Sequence, residues 1–553
     1  MDKRASVNPI VIRISGKTVL LTIAVFLLCL GGMALRCIPL AQSSYPYILD
    51  GLGEAKFAAD ISVSGRLSPD LEASYAESHT VSTPVFNTFL ALSSLITAEE
   101  PLFLVQKLIP IFAGMLLLGS FVLACMFTGS NRVGIFSLMA LASYGPFVII
   151  TQAAWKECIG LSLLPILLIS FHYRTETKMR ILSSLMILAM PFIHHYIALI
   201  VLLTVSFVTA TDFIVAFRRK HLSSSNLLDL IITIVAIDEA FVYYSVVRFD
   251  RLEYLTPQNG LYLFLGLAVA MAIGVYYISS RRITQPGSKV FLGVTSVLMA
   301  SLFALNVASP VGTIDASAVS MLSFPLVVSF ALMVLCVYGI SIFSKTMESS
   351  KTLFYAYLSA PATMIIYAFL RAEDLISLDI VTRTVDLIDI GAFIGLGITL
   401  IFITKEMKRI WVPVVATVIA IALISTIPIA LDSERYVGTR NTIYGFEIDA
   451  IDWAVDHRGS LSIQTDVHFL YVKNLFDNID DPTLVRRFFG TATFESNKLM
   501  IASERWVSIG VKDLPYGWVK IDGHSFNERI HSCDLIYAAG PPGTGILLFT
   551  SSY

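Results

Sequence analysis

The sequence predicts an all-α polytopic membrane protein of about 13 transmembrane helices, closed by a small C-terminal α/β domain. Three observations predict it. Of 553 residues, 56% are hydrophobic and 14% charged, with a mean hydropathy of +0.74, whereas soluble domains carry about 25% charged residues. Apolar runs long enough to cross a bilayer alternate with loops, and the basic residues recur on every second loop, as the positive-inside rule requires. Segment 432–553 abandons both patterns for short apolar runs between polar turns, the signature of a small water-facing domain. This composition excludes a soluble enzyme. The net charge of -2 offers no basic face for nucleic acid, and six scattered cysteines without a CxxC pair argue against a zinc site or a disulfide framework.

The elements follow in chain order. The first span, 18–35, comes after Lys3, Arg4, Arg13 and Lys17, and no A-x-A cleavage site follows it. It therefore reads as an anchor with its N-terminus in the cytoplasm, not as a signal peptide. A polar first outer loop, 37–82, comes next. Segment 84–96 is short, opens on Thr83–Pro84 and ends in Glu99–Glu100–Pro101. It reads as a half-buried helix at the outer interface, because counting it as a crossing would put Arg174, Lys178 and Arg180 outside. The basic loops 174–180, 218–220, 281–282, 345–351 and 405–409 then face the cytoplasm, and 194–195, 248–259, 309–315 and 371–389 face out. The last span, 410–431, ends outside. A membrane body at 1–431 is thus followed by an extracytoplasmic domain at 432–553, with strands expected at 461–464, 499–501 and 545–549 and a helix at 447–456. The lack of a cleavable leader and of paired cysteines fits a multi-pass protein of a prokaryotic plasma membrane.

Polar groups near a bilayer are expensive and read as functional, and here they gather at the outer face. Asp50 and Glu54 in the first outer loop are four apart, which places both on one face if the segment is helical. Such carboxylates suit a divalent cation, Mg or Mn, or one of them acts as a general base; an ordinary solvated loop is the plainer alternative. Glu77 and His79 follow in the same loop. Trp155–Lys156–Glu157 lies at a turn between helices. It is either an interfacial Trp with a snorkelling Lys, or a second acid beside an ammonium that faces phosphate. Asp50 and Glu157 are the candidate metal ligands. One of His194 and His195 is suited to contact a substrate phosphate or hydroxyl. Asp238–Glu239 reads equally as a buried polar pair. Arg248, Arg251, Arg371 and Arg383 are outer-face arginines, suited to bidentate phosphate binding or to anchoring at the interface. No GxSxG, HExxH, Walker or GxGxxG context is present.

Taken together, these residues resemble the GT-C superfamily of polytopic glycosyltransferases and, distantly, the catalytic subunits of the oligosaccharyltransferases. The likeness runs through the early acidic segment Leu49-Asp-Gly-Leu-Gly-Glu54 with Ala58-Ala-Asp-Ile-Ser-Val-Ser-Gly65 behind it, the Pro-led helix at Ser82-Thr-Pro84, and Ala142-Ser-Tyr-Gly-Pro146 leading into Trp155-Lys-Glu157. The resemblance implies a GT-C-like fold and a polyprenyl-phosphate sugar donor lying among membrane lipids. It also implies a glycan, lipid or protein acceptor. Asp50 would be the base or a cation ligand, with Glu54 in support; Lys156, Glu157 and His195 would line the donor phosphate, and transfer would proceed with inversion. Two departures bear on substrate and metal. The Trp-Trp-Asp-Tyr-Gly motif of the oligosaccharyltransferases is replaced by Ala450-Ile-Asp-Trp453 and Leu461-Ser-Ile-Gln-Thr-Asp466, which argues against transfer to asparagine. The second acidic motif holds one acid, Glu157, where the family has two. The competing readings are a secondary transporter, which would place its ionisable residues near mid-membrane, and a non-catalytic envelope-assembly subunit on the same scaffold.

Overall fold

The computed structural model describes residues 16–48, 50–67, 83–247, 328–329, 331–343, 351–371, 375–406, 411–431, 442–470, 479–481, 484–488, 494–495, 497–508, 510–513 and 517–551. The chain is mostly helical. Among the described residues, five helices are long and apolar enough to cross a membrane: Thr18–Arg36, Pro101–Thr128, His195–Arg218, Arg383–Lys405 and Pro413–Leu431. The pair Asn131–Ser143 and Gly145–Thr151, bent by 69°, makes a sixth if read as one broken span. Segment 248–327, which carries part of the count of about 13 crossings, lies outside the described residues. The helix Val85–Thr97 has 13 residues, too few for a bilayer. It buries Phe86, Asn87, Leu90, Ala91 and Ser94 and leaves Phe89, Leu92, Leu95 and Ile96 exposed, as a helix lying at the edge of the bundle does.

Local sequence sets the helix boundaries. Pro101 opens its helix at the first turn, where its missing N–H is no loss. Ser130 Oγ caps Asn131–Ser143 by accepting from the Val133 N–H, and Ser223 Oγ caps Ser224–Val246 through Asn226. The break after Ser143 leaves carbonyls with no partner one turn on. Arg36, fully buried at the end of the first span, fills that gap: Nη2 donates to Leu141 O at 3.1 Å, Nη1 to Ala142 O at 3.3 Å and Nε to Thr151 Oγ1 at 2.7 Å. The Gly145 N–H donates to Thr426 Oγ1 at 2.8 Å, and a Cβ at Gly145 would stand 1.9 Å from Thr426 O. Only glycine lets the two segments meet there.

The bundle has two chemically distinct ends. At one, Arg174 after the helix Glu157–His172 bonds Asp212 near the end of His195–Arg218 and Asp229 near the start of Ser224–Val246, and Arg180 adds a contact to Asp229 at 3.2 Å. The other end gathers the Asp50–Ser64 helix, the turn 152–156, the His194 corner between Thr177–Ile193 and His195–Arg218, and Arg383.

The C-terminal domain is a five-stranded mixed sheet in the order β2-β1-β3-β7-β6, with β1 Ser462–Gln464, β2 Ile479–Asp481, β3 Lys498–Ser503, β6 Cys533–Ala539 and β7 Ile546–Ser551; β4 Val511–Asp513 and β5 Gly517–Val519 form a separate hairpin. The strands β1, β2 and β3 run parallel, and β7 is antiparallel to both neighbours. β1, β3 and β7 lie where strands were expected, and the helix Gly445–His457 covers the expected 447–456. Alternation sends Leu499 and Ile501 to one core and Met500 and Ala502 to another. The first core also contains Leu52, from the first loop of the membrane body.

Candidate active site

After Arg36 and the short helix Ile38–Gln42, the chain turns at 43–48 and enters the helix Asp50–Ser64. Ile48 sits at φ 81°, a conformation that a β-branched residue adopts only when its surroundings hold it there. They do. The Tyr47 N–H donates to Gln106 Oε1 at 2.8 Å, Gln106 Nε2 donates to Gln152 O at 2.8 Å, and the Ala154 N–H donates back to Tyr47 O at 3.0 Å. The loop before Asp50 is thereby sewn to the turn that carries Lys156 and Glu157. Gly51 makes the approach possible, since a Cβ there would lie 2.6 Å from Pro46 Cβ and 3.0 Å from Ala154 Cβ.

Asp50 occupies the first turn of its helix, where the positive end of the backbone dipole favours a carboxylate. One turn on, Glu54 is buried. Its Oε1 lies 3.6 Å from Lys156 Nζ, and its Oε2 accepts from Asn87 Nδ2 at 2.5 Å; the same Asn87 nitrogen donates to Glu54 O at 3.0 Å. Burial holds the Glu54 carboxyl above its ordinary range, against the opposing pull of Lys156 and Asn87. Burial likewise lowers Lys156, while Glu54 and Asp50 pull it back up. The influence of Asp50 on both groups places all three in one electrostatic cluster. Glu157, also buried, starts its helix, with Arg383 Nη1 at 3.9 Å from its Oε2; the Arg383 guanidinium lies 5.8 Å from the centre of the Trp155 ring. Asp386 and Asp389, one and two turns further along the same helix, are buried.

The histidine corner sits beside this cluster. His194 is the N-cap of His195–Arg218, its Nδ1 accepting from the Ile197 N–H at 3.4 Å, and His195 stacks on it with 4.9 Å between ring centres. Next to them, the Tyr196 hydroxyl bonds Thr384 Oγ1, beside Arg383. The corner thus holds the Arg383 segment in place. Asp50, Glu54, Lys156 and Glu157 are brought together. Arg248, Arg251, Glu77 and His79 lie outside the described residues, as does the side chain of Arg371. Asn87, Gln106, Gln152 and Asp386 went unnoticed in the sequence, although each is a polar residue set in an apolar run, which is a signal in itself.

Asp50 and Glu157 were the expected metal ligands. Among the described residues, no group of three or more His, Cys, Asp and Glu side chains is placed to hold an ion. Glu54 lies beside Lys156, and Glu157 beside Arg383. The arrangement offers a carboxylate at a helix start, a supporting buried carboxylate, and two basic groups arrayed beside them.

Two solved structures share this architecture. An archaeal oligosaccharyltransferase, AglB from Archaeoglobus fulgidus, in complex with an inhibitory peptide and a dolichol-phosphate, is 11% identical with a TM-score of 0.52, over 96% of this chain and 74% of that one. The oligosaccharyltransferase from Archaeoglobus fulgidus in the apo form is 10% identical with a TM-score of 0.52, over 88% of this chain and 70% of that one. No family model and no curated protein matches the chain. What this chain has in common with these two archaeal oligosaccharyltransferase structures is the fold.

Proposed function

We propose that the chain is an integral-membrane glycosyltransferase. It moves a sugar from a polyprenyl-phosphate-linked donor lying in the bilayer to a hydroxyl of a glycan, lipid or protein acceptor at the outer face. The observation that carries this reading is the convergence of Asp50, Glu54, Lys156, Glu157 and Arg383 at one end of the bundle, within a fold whose solved form holds a dolichol-phosphate. A membrane-edge site suits a substrate whose tail stays in lipid.

In this reading Asp50 accepts the proton of the acceptor hydroxyl. The freed oxygen attacks the anomeric carbon from the face opposite the phosphate, the carbon–oxygen bond to the phosphate breaks, and the electron pair leaves with the lipid phosphate. One displacement inverts the anomeric centre. Lys156 and Arg383 stabilise the charge that develops on the departing phosphate, and a preorganised cation in a water-poor site is effective at this. Glu54 holds Lys156, and Glu157 holds Arg383. Lys156 and Arg383 supply this charge from the chain itself, and no step is routed through a metal.

The test uses purified protein in lipid and a panel of polyprenyl-phosphate sugars, comparing wild type with Asp50→Asn, with and without EDTA. Transfer or donor hydrolysis that is lost in the variant and survives EDTA is the expected result. Loss in EDTA, restored by Mg or Mn, would return a cation to Asp50 and Glu157. A folded protein that turns over no donor would favour the transporter or the non-catalytic subunit.

A further inference from the structure

The Asp50–Ser64 helix is gripped by two different cores. Ala55 and Ala58 belong to the core of the membrane bundle, whereas Leu52, with no exposed surface, is packed with Ile443, Ala450, Ile451, Ile463 and Phe469 of the C-terminal domain. A helix advances about 100° per residue, so Leu52 points about 160° away from both Asp50 and Glu54. The carboxylates face Lys156 while the opposite side of the same helical turn is sunk in the sheet domain. A hydrogen bond beside this contact pulls the same way: Ser43 Oγ donates to Ile443 O at 2.5 Å.

We propose that Leu52 is a positioning residue, through which the C-terminal domain sets the placement of Asp50. Gly51 and Ile48 are too tightly fitted for this turn to find its geometry by local preference. The turn needs an outside support, and the domain core provides one two residues from the base. The domain then acts on the chemistry without contributing a reacting group. Anything that shifts the core around Phe469 shifts Asp50 with it, because Phe469 shares that core with Leu52; it lies in the segment beyond the carboxyl end of β1, where its N–H donates to Asp466 Oδ1. That end lies between β1, which connects to β2 on one side, and β3, which leads on towards β6 at the opposite edge, and such a switch is where open sheets commonly take ligands. An acceptor held there has a short mechanical route to the base.

This inference rests on the reading of Asp50 as the base, and the experiment separates the two. The full chain in lipid nanodiscs is compared as wild type, Leu52→Ala and Leu52→Met. Amide hydrogen exchange over 50–58 needs no activity. It should quicken in Leu52→Ala while 101–128 and 498–503 keep wild-type protection, and Leu52→Met should restore it. Per folded molecule, kcat should fall about 10- to 100-fold in Leu52→Ala, as misplacement of a reacting group by about 1 Å does. The donor KM should stay within about twofold. A merely structural role would lower the yield of folded protein and leave kcat per folded molecule intact. Unchanged exchange over 50–58, or faster exchange with an undiminished kcat, would overturn the proposal. If Leu52→Ala does not fold, Leu52→Val makes the same comparison with a smaller deletion. If the wild type transfers no sugar, it is the glycosyltransferase reading that fails, and the exchange data alone decide whether the domain holds the helix.

Discussion

Glu54 and Lys156 illustrate how much a single buried pair decides. Each has lost nearly all its water, and the loss is offset only while both are present. Lys156→Met should destabilise the protein by about 3 kcal/mol by leaving the Glu54 carboxyl buried without its cation, and adding Glu54→Gln should recover most of that loss. A double-mutant cycle read by thermal unfolding in lipid checks this. The pH dependence follows from the same burial. The Glu54 carboxyl is raised in the folded protein, so its contribution to stability is fully present below its unfolded value, about 4.3, and is lost as pH rises through the higher folded value. Unfolding temperatures should therefore fall in wild type as pH rises above about 4.3 and flatten in Glu54→Gln. Gly51 makes the complementary case for space. Gly51→Ala places a methyl 2.6 Å from Pro46 Cβ, and the overpacking should cost about 1–3 kcal/mol and lower any Asp50-dependent turnover more than it lowers donor affinity. The Asp50–Glu54 spacing was legible in the sequence, because a period of four survives any packing. The need for Gly51 was not, since its neighbour Ala154 is remote in the chain.

Among the elements, the bent pair Asn131–Ser143 and Gly145–Thr151 decides where Lys156 and Glu157 arrive. A straight helix would carry the chain onward along its axis, whereas a 69° bend turns it across the end of the bundle. Arg36 bonds the carbonyls that the bend frees. Arg36→Met should therefore cost about 3 kcal/mol, several times the worth of one ordinary hydrogen bond, and should lower activity by disturbing the turn 152–156 and not by removing a substrate contact. Thermal unfolding with a donor-binding assay separates the two, and unchanged affinity per folded molecule is expected. The sequence showed Pro146 and the turn beyond it, but not the clamp, because Arg36 reads there only as the residue that closes the first span. His194 is a parallel instance. From sequence it is a candidate phosphate contact; in place it caps a helix through Nδ1, a role that depends on backbone geometry no residue pattern reveals.

At the scale of the whole molecule, the alternation of basic loops predicts a sidedness. Hydrophobic length and basic loops are additive, local quantities, so they survive without knowledge of the packing. The contacts between the Asp50 helix and the C-terminal domain are non-local and left no trace beyond a single leucine among small residues. The two ends of the bundle now carry separate chemistries: the arginine–aspartate network of Arg174, Arg180, Asp212 and Asp229 at one, and the acid–base cluster at the other. If positive charge marks the cytoplasm, the acid–base cluster and the sheet domain face outward together. Native cysteines make this testable without disturbing the site. Cys37 is exposed just beyond Arg36 and Cys533 is partly exposed on β6, while Cys158 and Cys336 are buried. A membrane-impermeant maleimide added to intact cells should label Cys37 and Cys533. A cysteine placed at the exposed Lys178, near the arginine network, should react only after permeabilisation. The reverse pattern would put Asp50 on the cytoplasmic face, where a glycosyltransferase would meet its donor before that donor had crossed the membrane.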